Sequence, residues 1–186
     1  MTQRSTGSAR AGLLMSADYY TYAHSINVCV FGVALARESG LGDTEIKEYA
    51  LGAMLHDIGK AEVPAELLTK TGPLTPGELG LVREHVLIGE RILREHHQLS
   101  ETAMIPVAQH HEKLDGSGYP RELSGQGLHL FGRITAIADV YDAMTSKRTY
   151  QRAFTPFETM KLMREELKDK FDQHLLEKFI RALRAR

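Results

Sequence analysis

Five separated segments of this chain carry side chains of the kind that hold transition metals: His24, the pair His56-Asp57, His85, the pair His110-His111, and Asp139. Neutral imidazoles together with carboxylates select borderline divalent cations such as iron, manganese and zinc, whereas magnesium and calcium prefer all-oxygen shells. Seven donors exceed what one tetrahedral ion accepts. They suit two adjacent ions sharing a carboxylate, the arrangement used for in-line attack on phosphorus. A fold that uses them must converge five stretches of chain on one interior point.

The apolar spacing that would carry them inward is helical almost throughout, and nothing reads as a multi-strand sheet. His24, Val28, Phe31 and Leu35 recur at i, i+4, i+7 and i+11, which puts His24 on the buried stripe of a first helix ended by Gly40. Asp43 or Thr44 caps a second helix, where Ile46, Ala50, Ala53 and Asp57 share the inward face. Gly59 allows a tight exit turn, and the stretch around Pro64 and Pro73 is irregular. Thr75-Pro76-Gly77-Glu78 is a capping box with proline at the first helical position, followed by an inward stripe of Val82, His85, Gly89 and Ile92.

A fourth helix, over about 101–111, ends in the histidine pair. Adjacent helical residues diverge by about 100°, so both imidazoles meet one ion only where the helix ends or distorts, as Gly116 and Gly118 allow. Residues 112–131 predict a loop with a short hairpin. A long helix over about 131–146 turns Ala136, Asp139 and Ala143 one way, Thr155-Pro156-Phe157-Glu158 starts another, and Leu175, Phe179 and Leu183 mark a packing helix at the tail. The fold class expected is an all-α bundle of about seven helices around a central dinuclear site, with a glycine-rich loop.

A lone histidine on an apolar face is more often a satisfied core residue than a ligand. Here the inward stripes of different helices deliver His24, His56, His85 and Asp139, and buried Asp57 and Asp139 would be costly without a cation or hydrogen-bonding partners. His96-His97 lie in a polar stretch and read as surface; His129 and His174 receive no role.

The 186 residues, 42% apolar, suffice for one domain with a sizeable core. A formal net charge of −1 argues against a nucleic-acid polymer as partner, so phosphate recognition must be local. Cys29 is the sole cysteine, which excludes an intrachain disulfide, reads as a buried thiol and fits a reducing cytoplasm. No apolar run approaches the about 18 residues of a membrane span, and the polar start lacks a signal peptide's apolar region. A soluble, cytoplasmic protein is expected, with residues 1–12 as a flexible lead-in and 13–186 as the domain.

The letters around the donors are specific. His56-Asp57 stands in His-Asp-Ile-Gly-Lys (56–60), His110-His111 opens His-His-Glu-Lys-Leu-Asp-Gly-Ser-Gly-Tyr-Pro (110–120), and Asp139 lies in Ala-Asp-Val-Tyr-Asp-Ala-Met-Thr-Ser-Lys-Arg-Thr-Tyr (138–150). In this order and spacing they resemble the HD-GYP family, bacterial members of the HD phosphohydrolase superfamily that hydrolyse cyclic di-GMP. The resemblance runs from about Asp18 to the C-terminal helix.

It implies one metal held by His24, His56, Asp57 and Asp139, and a second by Asp57, His85, His110 and His111, with Asp57 as the catalytic bridge. Iron or manganese are the expected ions, and a hydroxide between them would attack phosphorus to give linear pGpG and, by a second cut, GMP. Lys60 would meet a nonbridging phosphate oxygen, as would Arg148. Thr149 and Gln151 depart from the family's usual Arg-Pro-Tyr-Arg, which leaves Arg152 as a substitute cation. Tyr119, in the Gly-Tyr-Pro tripeptide, would face the substrate or a partner, and the family associates through this loop with diguanylate cyclase (GGDEF) domains. A homodimer is the other assembly left open. Glu112, Asp115 and Asp142 are expected to orient the loop and the metal-binding side chains from behind.

Two other readings stay in view: hydrolysis of another cyclic dinucleotide such as cyclic GMP-AMP, and a low-turnover receptor that binds the nucleotide and a partner. Family members with a third metal carry a glutamate one helical turn before the first histidine, and here that position is Tyr20. Fully reconstituted protein should therefore contain about two metals per chain, while Tyr20→Glu, which adds a carboxylate at i−4 from His24, gains a third. Elemental analysis finding three in the parent would refute the two-metal expectation.

Overall fold

The computed structural model describes residues 5–95, 99–146 and 153–184, with side chains from residue 21 onward. In chain order come α1 (Ser5–Glu38), α2 (Asp43–Met54), a 3-10 turn (Ile58–Glu62), α3 (Ala65–Leu68), α4 (Pro76–Arg83), α5 (His85–Glu95), α6 (Ile105–Gln109), a second 3-10 turn (Gly125–Gly127), α7 (Leu130–Thr145), α8 (Pro156–Glu165) and α9 (Gln173–Arg184). The described residues are all-α apart from one antiparallel bridge, Asp115 with Ser124, which pinches the loop between α6 and α7 into a short hairpin. No helix of the described residues is long and apolar enough to cross a membrane.

α1 and α7 pack along each other, with α2 and α9 against α1. Their shared core is Leu35, Tyr49, Ala53, Phe131, Ile134, Ile137, Tyr141, Met163, Leu176 and Phe179. Phe31, Tyr141 and Phe179 meet edge to face at centroid separations of 5.0, 6.1 and 5.1 Å, a geometry that pairs each ring's positive edge with another's negative face. A smaller apolar cluster, Leu93, Met104 and Val107 backed by Leu55, Ile58 and Leu99, ties α5 to α6.

Local signals set most helix ends. Thr75 and Thr155 each accept from the backbone N–H three residues on, while Glu78 and Glu158 bond back to them, two complete capping boxes. Gly40, at φ +86°, ends α1: its N–H reaches the Arg37 carbonyl and that of Leu41 reaches Ala36, closing the last turn.

Several details differ from expectation. Gly42, not Asp43 or Thr44, is the N-cap of α2, because Glu45 returns its carboxylate to the Gly42 N–H at 2.9 Å. The helix expected over 101–111 shrinks to α6, since Pro106 lacks the N–H an interior position needs and fits only at the first turn. The stripe from Val82 to Ile92 is split between α4 and α5: His85 and Gly89 are buried, Val82 and Ile92 only half-buried, and Val86, Glu90 and Leu93 take the remaining interior positions of α5. Within the described residues the chain is helical from Ser5, where Ala9, Ala11, Leu13 and Leu14 favour helix despite Gly7 and Gly12. Cys29 is half-buried rather than fully so, and its thiol lies 3.6 Å from the Ala50 carbonyl.

The turn after α2 lies directly on α5. A Cβ at Gly59 would stand 1.9 Å from the His85 carbonyl oxygen and 2.5 Å from the Gly89 nitrogen. Gly59→Ala should therefore cost about 1–3 kcal/mol, seen as a fall of several degrees in the thermal midpoint; an unchanged midpoint would refute this close approach.

Candidate metal centre

All seven predicted donors come together. Asp57 leaves the end of α2 and points into the interior, where Oδ1 lies 3.3 Å from His85 Nε2 and 3.7 Å from His110 Nε2. Its Oδ2 lies 3.4 Å from His56 Nε2 and 3.8 Å from His24 Nε2. Asp139, from the middle of α7, places Oδ1 3.1 Å from His24 Nε2 and Oδ2 3.8 Å from His111 Nδ1. The donor atoms fall into two groups, Asp57 with His85, His110 and His111, and His24 with His56 and Asp139, each within 4.8 Å of one another.

The outer nitrogens explain why the inner ones face each other. His56 Nδ1 donates to the Ala53 carbonyl at 2.8 Å, His85 Nδ1 to Val82 at 2.7 Å, and His110 Nδ1 to Pro106 and Val107 at 3.0 Å each. His24 Nδ1 meets Asp142 Oδ2 at 2.6 Å. Protons used outward leave Nε2 as a lone pair directed inward, the tautomer a metal requires. His85 and His110 then bring two lone pairs within 3.2 Å. Together with the buried, unbonded His56 Nε2 and Asp57 Oδ1, this is an interior that a cation satisfies. Unpaired buried polar atoms otherwise cost about 1–3 kcal/mol each.

Protonation agrees. Burial holds His85 and His110 below the ordinary imidazole range and His111 down to about 3, so all three are neutral donors. Burial alone would raise Asp57, but the His56 imidazole and the Lys60 ammonium beside it keep it well below the carboxylate range. Asp139 is likewise held low, against burial, by its bond to His24. Burial lowers His24 too, yet its bonds to Asp139 and Asp142 carry it up to about 9, so a cation there displaces a proton.

Around the donors, Asp142 accepts from Asn27 Nδ2 at 2.8 Å and Ser146 Oγ at 2.9 Å as well as holding His24. Fully buried Glu112 accepts the Arg121 and Leu123 N–H groups at 2.7 and 2.9 Å, so it shapes the loop and has no described bond to a histidine. Asp115 binds Ser117 and faces Lys170 at 3.3 Å, tying the loop to the segment before α9. Lys60 Nζ sits 2.6 Å from Asp57 Oδ2. Tyr119 stacks on His111 at 4.6 Å and 27°. Arg148, Arg152, Thr149, Gln151 and the His96-His97 pair lie outside the described residues.

Sequence reasoning missed three groups. Glu90 pins Arg121 through two bonds of 2.7 and 2.9 Å, clamping the loop onto α5. Arg83 lies 4.8 Å above the Tyr119 ring. His129, left unassigned, caps α7 by accepting the Phe131 N–H at 3.1 Å; its place just ahead of the apolar run was the available signal.

A family model for the HD domain matches residues 15–175. The chain belongs to the HD domain family. Among curated relatives of this HD domain is a cyclic di-GMP phosphodiesterase of Pseudomonas aeruginosa, 41% identical over 170 residues that make up 91% of this chain and 41% of that protein. A 3'3'-cGAMP-specific phosphodiesterase of Vibrio cholerae is 38% identical over 88% of this chain and 31% of its own length. The chain thus spans well under half of either relative. Among solved structures, a Bdellovibrio bacteriovorus protein described as an HDG"Y"P protein superposes with a TM-score of 0.73 at 21% identity, covering 88% of this chain and 52% of that one. The HD domain of the L. monocytogenes phosphodiesterase PgpH, in complex with cyclic-di-AMP, gives 0.66 at 19% identity over 89% and 88%. These likenesses establish the all-α HD fold.

Asp57 belongs to one donor group, and its Oδ2 lies 3.4 and 3.8 Å from His56 and His24 of the other, so Asp57→Ala should lower metal content sharply and abolish turnover. Elemental analysis and assay of the purified variant check this. A variant that keeps a full metal complement and parent activity would remove Asp57 from the centre.

Proposed function

We propose that this domain is a metal-dependent phosphodiesterase acting on cyclic di-GMP, with two divalent cations, iron or manganese, bridged by Asp57. The observation that carries the reading is that Asp57, a member of one donor group, sets its Oδ2 3.4 and 3.8 Å from His56 and His24 of the other, with its Oδ1 buried and unbonded among inward-facing imidazoles. His24, His56, Asp57 and Asp139 would hold one cation, and Asp57, His85, His110 and His111 the other. Bound there, the cations would supply positive charge for the phosphodiester and an acidified water.

The protein groups do the rest. Asp142 fixes the His24 ring, and four backbone carbonyls fix His56, His85 and His110. Lys60, 27% exposed beside Asp57, keeps a positive charge where a nonbridging phosphate oxygen would arrive. Arg148 joins it on its match to the family signature, Arg152 as the substitute for the cation that the signature carries where this chain has Gln151, and Tyr119 lines the approach. The same loop, in which Ser117, Arg121 and Glu122 are exposed, is where a diguanylate cyclase domain would dock by the family resemblance. Cytoplasmic placement belongs to this reading, because cyclic dinucleotides signal inside the cell.

Cyclic GMP-AMP is a second substrate candidate, favoured by the 38% identity to the Vibrio cholerae enzyme specific for it. Lys60 and Arg148 meet phosphate rather than a base, so they do not separate the two nucleotides.

Protein reconstituted anaerobically with Fe(II) or Mn(II) should convert cyclic di-GMP to pGpG, identified by chromatography beside cyclic GMP-AMP and cyclic di-AMP. Lys60→Ala should keep its metals and lose roughly 10- to 100-fold in catalytic efficiency, the value of one charge-assisted contact. Metal-loaded protein that binds a cyclic dinucleotide without cleaving any would replace the enzyme reading with the receptor one.

A further inference from the structure

The metal centre opens on one side. His111 is 23% exposed, against 5% or less for the side chains of His24, His56, His85 and His110. The Tyr119 ring lies on that side, stacked on His111 at 4.6 Å. Arg83, the last residue of α4, lies over the same ring at 4.8 Å. Two groups cannot occupy one face of a phenol ring, so Tyr119 is held between His111 and the guanidinium.

Two cations of neighbouring segments are already engaged. Lys60 is bonded to Asp57 at 2.6 Å, and Lys113 is half-buried with Nζ 5.0 Å over the Phe171 ring. Arg83 is exposed, and no carboxylate pairs with it among the described residues. A guanidinium laid on an aromatic face keeps its N–H edge free and its orientation fixed, which suits it to grip a phosphate through two parallel bonds.

A cyclic dinucleotide carries two phosphates, and the centre attacks one at a time. The other arrives with a full negative charge at the rim of a chain whose net charge is −1, so it needs a local cation. We propose that Arg83, on the platform of Tyr119, binds the phosphate that is not being cleaved. This rests on the cyclic-dinucleotide reading above. Arg83 thereby favours substrates with a second phosphate over simple diesters.

Arg83→Met keeps an unbranched stem against Tyr119 and removes the charge; Arg83→Lys keeps a charge without the planar fork. With the metal-loaded chain, KM for cyclic di-GMP should rise roughly 10- to 100-fold in Arg83→Met, with a smaller rise in Arg83→Lys and kcat within about threefold of the parent. The loss in kcat/KM should be at least about tenfold greater for cyclic di-GMP than for bis(p-nitrophenyl) phosphate, a diester with one phosphate. Metal content, measured on the same samples, should match the parent.

An Arg83→Met KM within about twofold of the parent overturns the assignment while the phosphodiesterase reading stands. Equal losses on both esters, or lost metal, would show that Arg83 acts only by holding Tyr119 and His111, and would also overturn it. Parent protein that cleaves and binds no cyclic dinucleotide removes both readings at once.

Discussion

A single carboxylate in the interior governs this fold. Asp57 is 3% exposed and ionised, and a buried charge is tolerated only where opposite charge and hydrogen bonds surround it. Four imidazoles and Lys60 stand within 2.6 to 3.8 Å of its oxygens. Those groups come from α1, the turn after α2, α5 and the end of α6, so the helices around them must meet at one depth. The contact of Gly59 with the His85 carbonyl sets that depth on one side. The α1–α7 pairing, with His24 facing Asp139, sets it on the other.

The centre was legible because helical periodicity and chemistry coincide in it. His24 and Asp139 recur in step with the apolar residues of their own helices, and the two capping boxes announced α4 and α8 in four letters each. Register across chain breaks was harder to read. Val82 and Ile92 fit the spacing of His85, yet the chain turns at Glu84 and the buried stripe shifts by one residue to Val86 and Glu90. Tertiary bonds between distant residues left no periodic trace: the grip of Glu90 on Arg121 and the seat of Arg83 on Tyr119 join segments 31 and 36 residues apart, by numbering 121 − 90 and 119 − 83.

The glycine-rich loop shows how much order a stretch without helix or sheet can carry. Glu112 is fully buried because two backbone N–H groups of the loop neutralise it, and Gly118 passes so close that a Cβ would stand 2.4 Å from the Glu112 Cα. Glu90 fastens the loop to α5 and Lys170 fastens it near α9. The ring of Tyr119 is therefore carried on a braced frame, and its contact with His111 links the shape of the loop to one side chain of the candidate metal centre.

His56, His85 and His110 each anchor Nδ1 on the carbonyl three residues earlier, Ala53, Val82 and Val107. The bond is local to one turn of backbone, so ring orientation is inherited from the helix rather than from whatever the ring binds. Such a pocket would act as a socket, able to exchange one occupant for another without the surrounding chain refolding. The choice among metals with similar ligand preferences then passes from the protein to the cell, decided by which ion is abundant and in which oxidation state when the domain is filled.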